Sequence, residues 1–179
     1  MQCFWARGYE ATSVRELVEQ TGITGASLYN AFGDKRALYE RVLDRYVEAS
    51  ILDRIRRCET LEPREAISAF FAEIVRRSLE DRQHKGCMLV NAALDVAPHD
   101  PDFQKIVGGV LVRMEAFFLG RVRAGQADGV IALSLPAETL AQHLLGVVMG
   151  LRVMARVRPE RVLLEGMVCA AMALLDGVA

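Results

Sequence analysis

Cysteine and histidine are scarce in this 179-residue chain, and the few present stand apart. Cys3, Cys58, Cys87 and Cys169 form no C-x-x-C pair and no cluster with His84, His99 or His143. That excludes a disulfide scaffold or a structural zinc site and fits a reducing cytoplasm. The cysteines read as small hydrophobes, buried or half-buried. A glycine-rich phosphate loop, G-x-S-x-G and H-E-x-x-H are all missing, and Asp95, His99 and Asp100 make a poor metal set on a proline-broken segment. No enzyme, cofactor or metal centre is therefore expected. The most apolar run, Leu144 to Leu151, stops at Arg152, short of the ~20 residues of a membrane span. A signal peptide, an internal repeat and a credible strand pair are also absent. Charge of one sign is lacking too. The net formal charge is −1, and through Ser50 six Lys/Arg face seven Asp/Glu, so no general pull toward nucleic acid exists.

What the chain does have is a dense run of helix punctuation from Ser13 to Tyr46. Ser13-Val14-Arg15-Glu16 fits a capping box, with Leu17 and Val18 following on the inward face. Gly22 stops that helix, Thr24 caps the next, and Leu28 and Phe32 stand four apart on its apolar side. Gly33-Asp34 closes it and starts a third helix at Lys35. Helix, glycine turn, helix is the arrangement whose second helix enters the DNA major groove. The same spacing also fits a polar surface αα-hairpin.

The residues on the second helix bear on that choice. From Ile23 to Gly33 there is no acid. Thr24, Gly25, Ala26 and Ser27 are small enough to let a backbone approach base edges closely. Tyr29, Asn30 and, one turn on, Lys35 can reach phosphates, and Asn can pair bidentately with adenine. Positive charge would have to be concentrated by geometry, with Arg15, Lys35 and Arg36 near one face and Glu19, Glu40 and Asp44 turned away.

Phe4, Arg7-Gly8-Tyr9-Glu10-Ala11-Thr12-Ser13-Val14, Gly22-Ile23-Thr24, Leu28-Tyr29, Phe32 and Lys35-Arg36-Ala37-Leu38 together resemble the N-terminal domain of TetR-type transcriptional regulators. The resemblance covers about Phe4 to Tyr46. It implies an all-helical homodimer that binds a palindromic operator and releases it when a small molecule occupies the C-terminal domain. Carried over position by position, it implies DNA contacts at Arg15, Thr24, Gly25, Ala26, Ser27, Tyr29 and Asn30, with Lys35 holding a phosphate. Two departures stand out. Val18 sits where the family usually has alanine, which would widen the helix crossing. The chain also opens only seven residues before Gly8, where the family has a longer first helix and often a basic arm.

Beyond the motif, helix follows helix. The helix from Lys35 is expected to reach about Cys58 as one rigid rod shared by both halves, with Leu38, Val42, Leu43, Tyr46, Val47, Ile51, Leu52 and Ile55 along its stripe. Pro63 opens a helix to about Glu80, Cys87 to Ala97 is a short one, and Pro101 to about Ala127 a long one. Two more follow, from Pro136 to about Val157 and from Pro159 to about Gly177. The fold class is thus all-α: an N-terminal three-helix helix-turn-helix domain over residues 1–48 and a C-terminal helical effector-binding and dimerisation domain over 49–179.

The last two helices are apolar nearly all round, with Glu165 the single charge between Val162 and Leu175. Gly146, Gly150, Gly166, Ala170 and Ala173 recur at helical spacing. Residues 136–177 are therefore expected to form a two-fold interface with a second copy. Phe71, Met88, Met114 and Phe118, with the polar Asn91 and His143, are the candidate lining of a pocket for a small apolar or aromatic effector. The expected function is a homodimeric repressor on double-stranded operator DNA. Its alternatives are a helix-turn-helix dimer without an effector or, far behind, a small helical enzyme.

Overall fold

A computed structural model describes residues 1–177; the last two residues of the C-terminal domain expected over 49–179 lie outside it. The described residues form α1 (Gln2–Arg7), α2 (Val14–Thr21), α3 (Gly25–Phe32), α4 (Lys35–Val47), a π-helical turn (Glu48–Leu52), α5 (Asp53–Glu59), α6 (Pro63–Glu80), α7 (Met88–Asp95), α8 (Pro101–Ala127), α9 (Ala137–Val157) and α10 (Arg161–Asp176), and no strand.

Local chemistry sets the first helices. The Ser13 hydroxyl accepts from the Glu16 amide while the Glu16 carboxylate accepts from the Ser13 amide, so both orphan donors are met. Gly22 ends α2 in the left-handed region (φ 70°), where a side chain would be strained. Thr24 caps α3 through the Ser27 amide, and Asp34 caps α4 through the Ala37 amide at 2.7 Å. Phe4, Leu17, Leu28 and Leu43 form the small core of this half.

The rod after Lys35 is continuous but not uniform. Leu43, Val47, Ile51 and Ile55 are all buried, yet residues spaced by four drift about 40° per step around a 3.6-residue helix. The wider π turn at Glu48–Leu52 absorbs that drift and keeps the stripe facing inward. A uniform α-helix through Cys58 would rotate Ile55 off the core.

The C-terminal helices are tied together by aromatic rings. Phe70 stands 5.2 Å from Phe117 and 5.1 Å from Phe118, and Phe71 5.8 Å from Phe118. The two halves share one hydrophobic cluster, with Tyr39 of α4 bridging Phe4 (5.0 Å) and Phe103 of α8 (5.4 Å). By length and composition α9 is apolar enough to cross a membrane, contrary to a reading that considered only its charge-free run. It packs against α6, α7, α8 and α10 as a core helix. One side of it is left uncovered: Val153 and Val157 are exposed, as are Val162, Gly166, Ala170 and Ala173 of α10. Cys169 is exposed on the same helix, against the expectation of a buried or half-buried thiol.

Candidate nucleic-acid interface and effector cavity

α3 is held from beneath and open above. Leu28 is buried and Phe32 half-buried, which fixes the helix on the core. Thr24, Ala26, Ser27, Tyr29 and Asn30 are exposed, Tyr29 by 46% of its surface. The Thr24 and Ser27 hydroxyls lie 2.9 Å apart, so the first turn presents a preordered pair of polar groups. Gly25 is half-buried where α2 crosses α3. A Cβ there would sit 3.9 Å from Val18 Cγ2, an ordinary contact, so the crossing accommodates valine without strain.

The cations around this face are less free than expected. Arg15 is highly exposed but its Nε donates to Glu19 at 2.9 Å, so Glu19 is not turned away. Lys35 Nζ lies 4.4 Å over the Tyr9 ring and donates to the Glu10 carbonyl at 3.4 Å. Arg36 does not join the face at all. It grips Asp100 by two hydrogen bonds of 2.8 and 3.0 Å, reaches Asp102 at 3.1 Å, and lies over the Phe103 ring. The reason is fold-level: α4 runs beside the start of α8, where two carboxylates converge. That grip holds the Asp100 carboxylate well below its usual range, at about 2.

The residues expected to line an effector pocket do not converge on one. Phe71 and Phe118 are spent on core packing, and Met88 is equally buried. Met114 meets only a void of about 10 Å³. Asn91 is satisfied by the Lys85 carbonyl (3.0 Å) and by Arg156 Nη1 (2.6 Å). His143 is exposed on α9 and borders no cavity described here. An apolar groove of about 530 Å³ between α6 and α10 is walled by Ala72, Val75, Leu79 and Val168, beside the uncovered stripe.

The largest cavity, about 760 Å³, opens elsewhere, where α1, α4, the π turn, α5, α6, the 81–86 loop and α9 meet. Trp5 and Tyr46 form an aromatic corner, with rings 5.2 Å apart, and Trp5 Nε1 donates to the Gly86 carbonyl at 3.0 Å. The lining also carries Arg54, Arg77 and Arg152. Sequence reasoning missed these arginines, although a signal existed. Arg152 falls four residues after Val148 and three before Ala155, in phase with a buried stripe, and Arg54 adjoins the buried Ile55. A cation on an apolar face asks for a partner.

The first 42 residues match the model of "Bacterial regulatory proteins, tetR family", and residues 63–170 that of "Tetracyclin repressor-like, C-terminal domain". The chain belongs to the TetR family. TetR-type proteins are DNA-binding transcriptional regulators, and this is one of them. The HTH-type transcriptional repressor ComR of Escherichia coli is 30% identical over 158 residues, covering 87% of this chain and 75% of ComR. The HTH-type transcriptional regulator YezE of Bacillus subtilis is 28% identical over 180 residues, covering 98% and 92%. Among solved structures, a cysteine mutant of the TetR family regulator CifR bound to 26-base-pair operator DNA superimposes with a TM-score of 0.85 at 31% identity, over 97% of this chain and 91% of CifR. Between the two family models lie residues 43–62, which include the π turn and Arg54. Of the residues lining the cavity, Tyr46, Ser50 and Arg54 thus lie outside both TetR models.

Proposed function

We propose that this TetR-family protein is a homodimeric repressor that binds a palindromic operator and leaves it when a small molecule occupies the C-terminal half. The observation that carries the reading is α3 itself: acid-free, capped at its start, anchored by Leu28, and offering Tyr29 and Asn30 to solvent. In this reading Thr24, Gly25, Ala26, Ser27, Tyr29 and Asn30 meet the major groove, and Arg15 and Lys35 meet phosphates. The uncovered apolar stripe of α9 and α10 supports pairing of two copies through residues 136–177, with Val162 85% exposed in the single chain. Pairing would set two α3 helices about 34 Å apart, one duplex turn.

The division into residues 1–48 and 49–179 is part of the proposal, as are a cytoplasmic location and action by binding without turnover. The 760 Å³ cavity favours a ligand-responsive dimer over one that lacks an effector. An effector shifts the protein off DNA only by the difference in its affinity for the two conformations.

Fluorescence anisotropy on the gene's own promoter, with footprinting, tests the reading. Protection of a palindrome by a dimer is expected, and Lys35→Ala should weaken all sequences alike while flattening the salt dependence by about one phosphate contact. No protected palindrome at any salt, or a monomer by sedimentation at the DNA-binding concentration, would overturn it.

A further inference from the structure

We infer that the cleft between the DNA-binding half and the C-terminal helices is an oxyanion site, in which Arg54 and Arg152 receive the carboxylate or phosphate of a small organic molecule. This rests on the proposed effector-responsive reading and gives the effector a chemical class.

Arg54 is 1% exposed, and its Nε and Nη2 make no hydrogen bond. Its one acidic neighbour, Glu73, lies 3.3 Å from Nε but off line. Glu73 faces three cations at once: Arg77 Nε stands 2.8 Å from Oε1, which like Arg54 Nε makes no hydrogen bond, and Arg57 Nη2 2.9 Å from Oε2. Arg152, 8% exposed, has only the Ser78 hydroxyl, at 3.4 Å, as a hydrogen-bond acceptor among the described residues. Arg54, Arg77 and Arg152 thus line one cavity, and among the described residues Glu73 is the one carboxylate within ion-pair distance of any of them. Guanidinium groups taken out of water without matching acceptors are among the costliest features a fold can carry. Burial, reinforced by the nearby Arg152, holds Arg54 below its ordinary pKa, which expresses the same shortage of negative charge.

The two carboxylates that line the cavity, Glu80 and Asp81, are engaged elsewhere. Glu80 is bound by Arg76, and Asp81 accepts from the Gln83 and Gly86 amides of its own loop. The guanidinium fork suits a carboxylate or phosphate, which could take two parallel hydrogen bonds from one arginine. The Trp5 and Tyr46 rings supply an apolar corner for the body of such a molecule, and the volume suits one of metabolite size. Position matters as much as charge. Gln2 and Trp5 belong to α1 and Tyr46 to α4, whereas Arg77 and Arg152 belong to α6 and α9. An anion held by arginines of the C-terminal half, with its body against Trp5 and Tyr46 of the N-terminal half, touches both halves at once and changes the pose of α1 and α4 beneath α3.

The chain has a single tryptophan, Trp5, and it lines the cavity, so intrinsic fluorescence reports on the site directly. The full-length protein is titrated with benzoate, hexanoate and phenyl phosphate, and with benzamide as the uncharged counterpart of benzoate. At least one anion should give a saturable Trp5 change at a concentration about tenfold or more below that needed for benzamide. Arg152→Gln should weaken that binding by about tenfold or more, with Arg152→Lys recovering part of it. Because Arg152 pairs with no carboxylate, its removal strands no charge, and circular dichroism should show an intact fold. No saturable change with any of the three anions, equal responses to benzoate and benzamide, or unchanged anion binding in Arg152→Gln would each overturn the inference. The same titrations on operator-bound protein separate the two readings. Anion binding that leaves operator affinity unchanged upholds the site and removes the effector role, whereas operator binding without any anion response keeps the regulator and removes the site.

Discussion

The helix-turn-helix and the cleft behind it treat polar groups in opposite ways. Around α2 and α3 the polar side chains at helix ends find partners a few residues away: Ser13 with Glu16, Thr24 with Ser27, Asp34 with Ala37, and Thr12 with the Gly8 carbonyl at 2.7 Å. On the face offered to DNA the caps are local, and Lys35 reaches to Glu10 and Tyr9 of the same half. In the cleft, Arg54, Arg77 and Arg152 come from α5, α6 and α9, and Arg54 and Arg152 are short of acceptors when they meet. A surface that docks on a duplex needs mainly rigidity, and local caps supply it. A site that senses a charged molecule needs unsatisfied donors, and only tertiary structure can collect them.

The largest expected effect tests the cleft side of this contrast. Glu73→Gln removes the one carboxylate shared by Arg54, Arg57 and Arg77. With Arg54 fully buried, the loss should be about 3–5 kcal/mol, read as a lower urea midpoint at unchanged slope. A loss below about 1 kcal/mol, the range of exposed ion pairs, would mean that water reaches Arg54 and that the two regions do not differ in kind.

On the DNA side the effects are smaller and divide differently between stability and binding. Asn30→Ala, at an exposed position, should cost about 1–3 kcal/mol of operator affinity, most of it at one base position, and within about 0.5 kcal/mol of stability. Anisotropy against a set of single-base operator variants, paired with thermal unfolding, measures both. Ser13→Ala should show the reverse: about 1 kcal/mol of stability lost with the cap, and weaker operator binding only in proportion to unfolded protein. Equal losses of stability in the two variants would erase the distinction between a presented side chain and a supporting one.

That division also explains how far sequence alone reaches. Helix starts and stops around α2, α3 and α4 are legible because each depends on residues within four positions: the Ser13 box, the Gly22 turn, the Asp34 cap. The buried face of α3 is legible from Leu28 and Phe32 for the same reason. The π turn is legible only in hindsight, as a four-residue spacing of Leu43, Val47, Ile51 and Ile55 that a regular helix cannot sustain. The cavity lining is not legible from apolar composition, because rings such as Phe71 and Phe118 find each other and close up, while the space forms where charged residues prevent closure. Arg36 shows the limit most plainly. Its sequence neighbours place it beside the DNA face, but a pair of carboxylates more than sixty residues away takes it.

The smallest effect expected concerns that last contact, which ties the two regions together. Arg36 on α4 holds Asp100 at the start of α8, and Asp100 also caps α8 through the Asp102 and Phe103 amides. The hydrogen bonds from Arg36 and from those two amides lower the Asp100 pKa from an ordinary 3.8 to about 2. A carboxylate so depressed contributes stability that is fully present above its unfolded value and is lost as pH falls through about 4 to about 2. Asp100→Asn keeps a competent cap and removes the charge. Its thermal midpoint should therefore lie slightly below that of the parent at pH 7, and the gap should close between pH 4 and pH 2, all other carboxylates being common to both proteins. The contact is half-buried and still open to salt, so the difference should shrink in part in 0.5 M salt. A variant with the same acid limb as the parent would show that Arg36 leans on Asp102 and Glu40 instead, and that contacts such as the Tyr39–Phe103 packing and the Trp5–Gly86 hydrogen bond join the two regions without Asp100.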